Sequence, residues 1–195
     1  MNRGDLLDAL ADYVPSRPEE AQSLARIRCF LEESSDPFSR ATAEGHVTGS
    51  AVVARPDGSA FLLVLHRKLG RWLQPGGHTE ESDASVLDTA RREAREETGI
   101  TVFETPPEHA ILDVDVHAIP AHGKDPAHCH FDICYLLVTA EPHDPAASED
   151  PSRPMRWATF EEAIAARVDD SLARALDKAR ARLTRGPRIG DGGEP

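Results

Sequence analysis

QPGGHTEESDASVLDTARREAREETGI (residues 74–100) runs from a Pro-Gly-Gly turn into a charged helix that closes on a glycine. The pattern predicts a helix over residues 84–98 with Gly99 as its stop and Asp83 as its N-cap. Leu87, Ala90, Ala94 and Thr98 fall within about 80° of one another and form a stripe suited to packing on a sheet. Glu93 and Glu97 lie about 40° apart beside that stripe, with Glu96 about 60° to the other side. Like charges at these spacings repel by about 0.2–0.5 kcal/mol per pair. Two readings fit the string taken alone. One is a solvated helix face on which Arg92 pairs with Glu96. The other is a cation site, in which carboxylates and the bare backbone at Gly76 and Gly77 supply the hard oxygen ligands that Mg²⁺ or Mn²⁺ prefers.

The bulk composition narrows the partners. A net charge of −12, from 34 acidic and 22 basic residues, argues against a nucleic-acid binder or a protein held to an anionic membrane. It leaves room for a small phosphorylated substrate, which a divalent cation can bridge to an acidic site. Apolar content of 39% is enough for a core, but 5% aromatics means that aliphatic side chains and alanine must fill it. The cysteines, Cys29, Cys129 and Cys134, are odd in number and lack framework spacing, so reduced thiols and a cytoplasmic location are expected. Neither a signal peptide nor an apolar run long enough to span a membrane is visible.

Outward from the charged helix, hydrophobic periodicity places the other elements. Residues 3–13 and 18–34 read as helices, the second with Leu24, Ile27, Cys29, Phe30 and Leu31 on a loose apolar face. HVTGSAVVAR and AFLLVLHRK flank PDGS as a β-hairpin in which Gly58 takes a positive φ. LGRWLQPGGHTEESD reads as a long loop. AILDVDVHAI alternates, with Leu112, Val114 and Val116 on one face and Asp113, Asp115 and His117 on the other. HFDICYLLVTA is a more buried strand, PMRWATF a short strand entering the helix EEAIAAR, and residues 169–184 a final amphipathic helix. The resulting organisation is an N-terminal helical extension (1–40), an α/β domain (45–184) and a disordered tail (185–195).

At its second half the quoted stretch resembles the Nudix box, the signature of the Nudix hydrolases, G-x5-E-x7-R-E-U-x-E-E-x-G-U with U aliphatic. Arg92-Glu93-Ala94-Arg95-Glu96-Glu97-Thr98-Gly99-Ile100 fills that half and Gly77 matches the opening glycine. The first half is expanded by one residue, with Asp83 near the place of the first glutamate. RWLQPGG before the box and MRWATFEEA after it are similar to the segments that flank it in the family, so the resemblance covers roughly residues 46–165.

The resemblance implies an α/β/α sandwich with a mixed sheet and metal-dependent hydrolysis of a diphosphate linkage in a nucleoside diphosphate derivative. By the same resemblance the metal, Mg²⁺ or Mn²⁺, is held by Glu93, Glu96, Glu97 and the backbone of Gly77. Arg92 orients a glutamate of that cluster. The general base is either Glu93 or a carboxylate on a later loop, for which Glu149 and Asp150 are the candidates. A Nudix-like module that binds a nucleotide without cleaving it is the competing class, against which the intact glutamates speak. An isomerase on the same scaffold would need a pocket cysteine, and the loop before the box has none. LLVLHRK is only loosely like the pattern of relatives acting on coenzyme A, and no residue pattern names the substrate.

Six of the nine histidines fall in residues 109–143. His128 and His130 alternate onto one strand face with Asp132, and His117 shares a face with Asp113 and Asp115. His78, His117, His128 and His130 are therefore candidates for substrate contact, beside the plainer reading of hydrogen-bonded surface histidines. A zinc site made from His128, His130 and Cys129 or Cys134 is disfavoured, because Cys129 points away from its neighbours in an extended segment. Trp72 and Trp157 read as packing residues, and the N-terminal helices suit either a cap over the pocket or a homodimer contact.

Overall fold

The computed structural model describes residues 1–67, 69–105, 111–121, 123, 126–140 and 154–184. Glu149, Asp150 and the tail from residue 185 lie outside these residues.

Strand β1 (Gly45–Ala54) is buried at every position, the pattern of a central strand covered on both faces. Along one edge it pairs in parallel with β6 (His128–Val138), from Gly45↔Cys129 to Ala54↔Val138. Its other edge is shared. β2 (Phe61–His66) takes the far end at Val53↔Leu62, and β4 (Gly76–His78) takes the near end through Thr48↔His78 and Ser50↔Gly76, both antiparallel. β3 (Arg71–Leu73) and β7 (Met155–Ala158) join β2, and β5 (Asp113–Ile119) closes the far side against β6. The product is a seven-stranded mixed sheet of order β3-β2-β1-β6-β5, with β4 on β1 and β7 on β2. Gly58 turns the β1–β2 hairpin with φ 70°. The expected loop over residues 69–83 instead contains β3 and β4, two strands of three residues each, too short to display a period of two.

Alternation sends the two faces of the sheet to two cores. Val47, Ala51, Val53, Ile133, Tyr135 and Leu137 pack with Val86, Ala90 and Ala94 of α3 (Val86–Thr98). Val52, Ala54, Leu136 and Val138 pack instead with Leu172, Ala175, Leu176 and Ala179 of α5 (Asp170–Thr184), next to α4 (Phe160–Ala165). Helices on both sides of a mixed sheet make the α/β/α sandwich. Among the described residues, no helix is long and apolar enough to cross a membrane.

The N-terminal helices α1 (Arg3–Ala11) and α2 (Pro18–Glu33) join the first of these cores through Leu6, Leu10, Ile27 and Leu31. Each such burial is worth roughly 1.5–3 kcal/mol. Phe30 stacks on Phe131 of β6, ring centroids 3.9 Å apart, whereas Cys29 lies exposed, off the face where the sequence pattern put it. The buried positions of α2 are Glu20, Ser23, Ile27 and Leu31, so its inner face begins polar and ends apolar.

The polar half carries a buried ionic network. Glu20, fully buried, pairs with Lys178 at 2.8 Å and Arg174 at 3.2 Å, and both cations of α5 also reach Asp113 of β5. Tyr13 and Ser16 donate further hydrogen bonds to Glu20. Burial pushes the Glu20 carboxyl up, but the hydrogen bonds from Lys178 and Ser16 outweigh it and hold the group at about 2. Removing one member of a buried network strands the others, at about 3–5 kcal/mol. Glu20→Ala is therefore expected to lower stability by about that amount in urea unfolding at neutral pH. Because the folded pKa is depressed, the contribution is present above the ordinary value of 4.5 and is lost as pH falls toward about 2. Acid unfolding curves of wild type and Glu20→Ala should converge over that window.

Candidate active site on the charged helix

Helix α3 starts two residues later than the pattern suggested, and its cap differs. Ser85, not Asp83, is the N-cap, accepting from the amide of Asp88 at 3.1 Å. Gly99 closes the helix at φ 72°, its amide donating to the Arg95 carbonyl. The buried stripe is Val86, Thr89, Ala90, Ala94 and Thr98, with Leu87 only partly covered. A Cβ on Gly49 of β1 would stand 2.7 Å from the Val86 carbonyl, so this glycine lets the helix rest on the strand backbone.

Asp83 has a different task. Its buried carboxylate receives the guanidinium of Arg92 through Nε to Oδ1 at 3.1 Å and Nη2 to Oδ2 at 3.0 Å. Thr89 Oγ1 and the Glu80 amide donate to the same carboxylate. A fork of this kind is rigid as well as strong. Burial pushes the Asp83 carboxyl up, yet these hydrogen bonds outweigh it and hold the group below the usual range. With one side of the guanidinium fixed, Arg92 Nη2 donates to the His78 carbonyl at 2.7 Å and Nη1 to Glu93 Oε1 at 3.0 Å. Glu96 Oε2 is 3.4 Å from the same Nη1.

The three glutamates occupy different surroundings. Glu93 is half-buried, and burial pushes its carboxyl up, partly countered by Arg92. It lies directly over Gly77, where a Cβ would fall on its carboxylate. Glu97 accepts the Gly76 amide at 3.2 Å, and Glu96 is largely exposed. Among the described residues, the set of three ligand groups that converges within 4.8 Å is not these glutamates but His46, His78 and His130.

The family model of the NUDIX domain matches residues 45–179. The chain belongs to the Nudix family. This makes it a hydrolase of phosphoanhydride bonds by class. Among solved structures, Ap4A hydrolase of C. elegans is similar with a TM-score of 0.51 and 20% identity, covering 70% of this chain and 97% of that one. Dihydroneopterin triphosphate pyrophosphohydrolase of E. coli gives 0.50 and 17%, covering 70% and 95%. NrtR of Shewanella oneidensis, solved with a 27mer DNA, gives 0.48 and 20%, covering 71% and 62%. No curated protein is matched by sequence.

In this Nudix chain the box therefore brings Gly77, Arg92, Glu93 and Glu97 to one place, on the face of β4 turned to α3. The histidines lie on the other face. His78 alternates with Gly77, and its register partner Thr48 is two residues from His46, itself paired with His130. His46, His78, His128 and His130 have ring centroids 4.8–5.2 Å from their nearest neighbours. Burial first, then the neighbouring imidazoles and Arg40, hold His46 and His78 at about 4. Burial and the other histidines hold His130 at about 3. His117 stands apart, its Nδ1 3.4 Å from Asp115. Cys129 lies against Arg26, and neither Cys129 nor Cys134 belongs to the converging set. In the next rung Asp132 accepts from Thr48 at 2.8 Å and Ser50 at 2.5 Å. The tryptophans carry guanidinium groups, Arg156 over Trp72 and Arg55 over Trp157.

His46 is the residue that sequence reasoning missed. It is remote from the histidine-rich segment, and only the parallel β1–β6 register places it beside His130. For Gly77→Ala the crowding falls on the end of a flexible side chain, so Glu93 must move while the backbone need not. The variant is expected to keep its melting temperature within a few degrees and lose roughly 10–100-fold in divalent-metal affinity, measured by Mn²⁺ titration.

Proposed function

We propose that the chain is a metal-dependent pyrophosphohydrolase that cleaves the diphosphate linkage of a nucleoside diphosphate derivative, with Mg²⁺ or Mn²⁺ as cofactor. The observation that carries the reading is the Arg92 fork, which spends one side of the guanidinium on Asp83 and uses the other to aim Glu93 over Gly77. A merely solvated helix face would have no use for a half-buried carboxylate over a glycine. The donors fit a hard divalent cation: Glu93, Glu96 and Glu97 with a backbone oxygen at Gly77. Such an ion supplies charge neutralisation on the diphosphate and acidifies bound water.

The chain's own residues do the rest. Glu93, aimed by Arg92, accepts the proton of the attacking water. Water oxygen forms a bond to one phosphorus, the bridging P–O bond breaks, and two phosphate products leave. Arg92 holds Glu93 in place throughout and touches no substrate. The substrate is a small molecule rather than a nucleic acid, since a net charge of −12 repels a polyanion.

The test is phosphate release through a coupled phosphatase, with Mg²⁺ or Mn²⁺. The panel holds nucleoside triphosphates, nucleotide sugars, dinucleoside polyphosphates, dihydroneopterin triphosphate and coenzyme A. Turnover on one class is expected. Glu97→Gln should cut it by more than the roughly 10–100-fold that loss of an outer-shell partner costs, with the fold intact by circular dichroism. Full activity in Glu97→Gln would refute the metal assignment. Silence across the panel with metal still bound would favour a module that binds without cleaving.

A further inference from the structure

His46 is 2% exposed, and among the described residues neither of its ring nitrogens has a hydrogen-bond partner. An imidazole buried this way leaves a donor and an acceptor unsatisfied, each at the cost of its lost hydration. Proteins seldom leave such a group without compensation. The surroundings of His46 show what would provide it. One ligand nitrogen from each of His46, His78 and His130 lies within 4.8 Å of the other two. The three rings come from β1, β4 and β6, and register fixes them on one face: His46↔His130 directly, and His78 through Thr48. Strands, not loops, hold all three.

A fourth ring sharpens the geometry. His128 Nε2 is 3.3 Å from His130 Nε2. With Zn–N bonds of about 2.0 Å, two ligands of a tetrahedral ion stand about 3.3 Å apart. His128 Nδ1 contacts the Pro126 carbonyl at 2.9 Å. A proton on Nδ1 makes that contact a hydrogen bond and leaves the Nε2 lone pair facing His130, at the margin of the three converging rings. The plainer alternative is a His130-to-His128 hydrogen bond. It leaves both ring nitrogens of His46 without partners among the described residues.

We propose that His46, His78 and His130 form a second metal site, for Zn²⁺ or a similar transition ion, with His128 flanking the fourth position. Imidazole nitrogens select this class of ion and are poor ligands for Mg²⁺. The site therefore differs in chemistry from the glutamates and lies on the opposite face of β4. It does not depend on the hydrolase reading.

The full chain, freed of any affinity histidines, is dialysed against Zn²⁺ in excess Mg²⁺, and bound metal is measured by elemental analysis. Co²⁺ substitution then reports coordination through its visible bands. One tightly held Zn²⁺ per chain is expected, with a four-coordinate Co²⁺ spectrum. His130→Gln and His78→Gln should each weaken Zn²⁺ binding by more than the roughly 10–100-fold of an outer-shell change, and His128→Gln by less. The double variant Glu93→Gln/Glu97→Gln should bind as wild type. The half-buried His78 and His130 keep the test open should His46→Gln not fold. Absence of Zn²⁺ binding, equal binding in folded His130→Gln, or loss in the glutamate double variant would each overturn the site.

Discussion

The parallel ladder between β1 and β6 is the constraint on which the rest of the molecule depends. Ten consecutive rungs, Gly45↔Cys129 to Ala54↔Val138, fix which side chains share a face. A slip of one residue would exchange the faces. Val47, Ala51 and Val53 would then meet the α5 side and His46, Thr48 and Ser50 the α3 core. The register also sets Gly49 beneath Val86 and Thr89, which is why α3 can approach the strand closely enough to bring its glutamates over β4.

On that platform one arginine resolves a conflict of charge. Glu93, Glu96 and Glu97 repel one another, and a half-buried Glu93 is unfavourable in its charged form. Arg92 is anchored by Asp83, itself held by Thr89 and Glu80, and so offers Glu93 a fixed positive partner. The one-residue expansion before the helix does not disturb this, since Asp83 still reaches the guanidinium with both oxygens. The anchoring carboxylate needs to arrive at a point in space rather than at a fixed count along a loop.

Two neighbouring residues then face two chemistries. Gly77 turns to the carboxylates of α3, and His78 turns to the imidazoles of β1 and β6. The division follows from strand alternation alone. Arg92 binds Glu93 and the backbone carbonyl of His78, so one guanidinium is tied both to the carboxylates and to the backbone of β4.

Much of this was legible in the sequence, because it depends on short-range regularities. The helix with its glycine stop, the hairpin around Gly58, the alternation of residues 112–117 and the box from Arg92 to Ile100 all repeat within a few residues. The periodic elements pointed to an α/β domain, and the resemblance of the box to the Nudix signature implied the α/β/α sandwich. What the sequence misplaced depends on partners far along the chain. Asp83 looked like a cap because its true partner stands nine residues on and is reached only when the loop folds back. β3 and β4 looked like loop because each is three residues long and exists only by pairing with β2 and β1. Glu20 carries no local mark of burial, and the cations that pair with it are more than 150 residues away. His46 looked like an ordinary strand residue until the parallel register set it against His130. Local periodicity determined the helices, the hairpin and the longer strands, and where the glutamates sit along α3. Tertiary structure decided which side chains meet across strands, because a parallel pairing between distant segments leaves no trace in the spacing of either one.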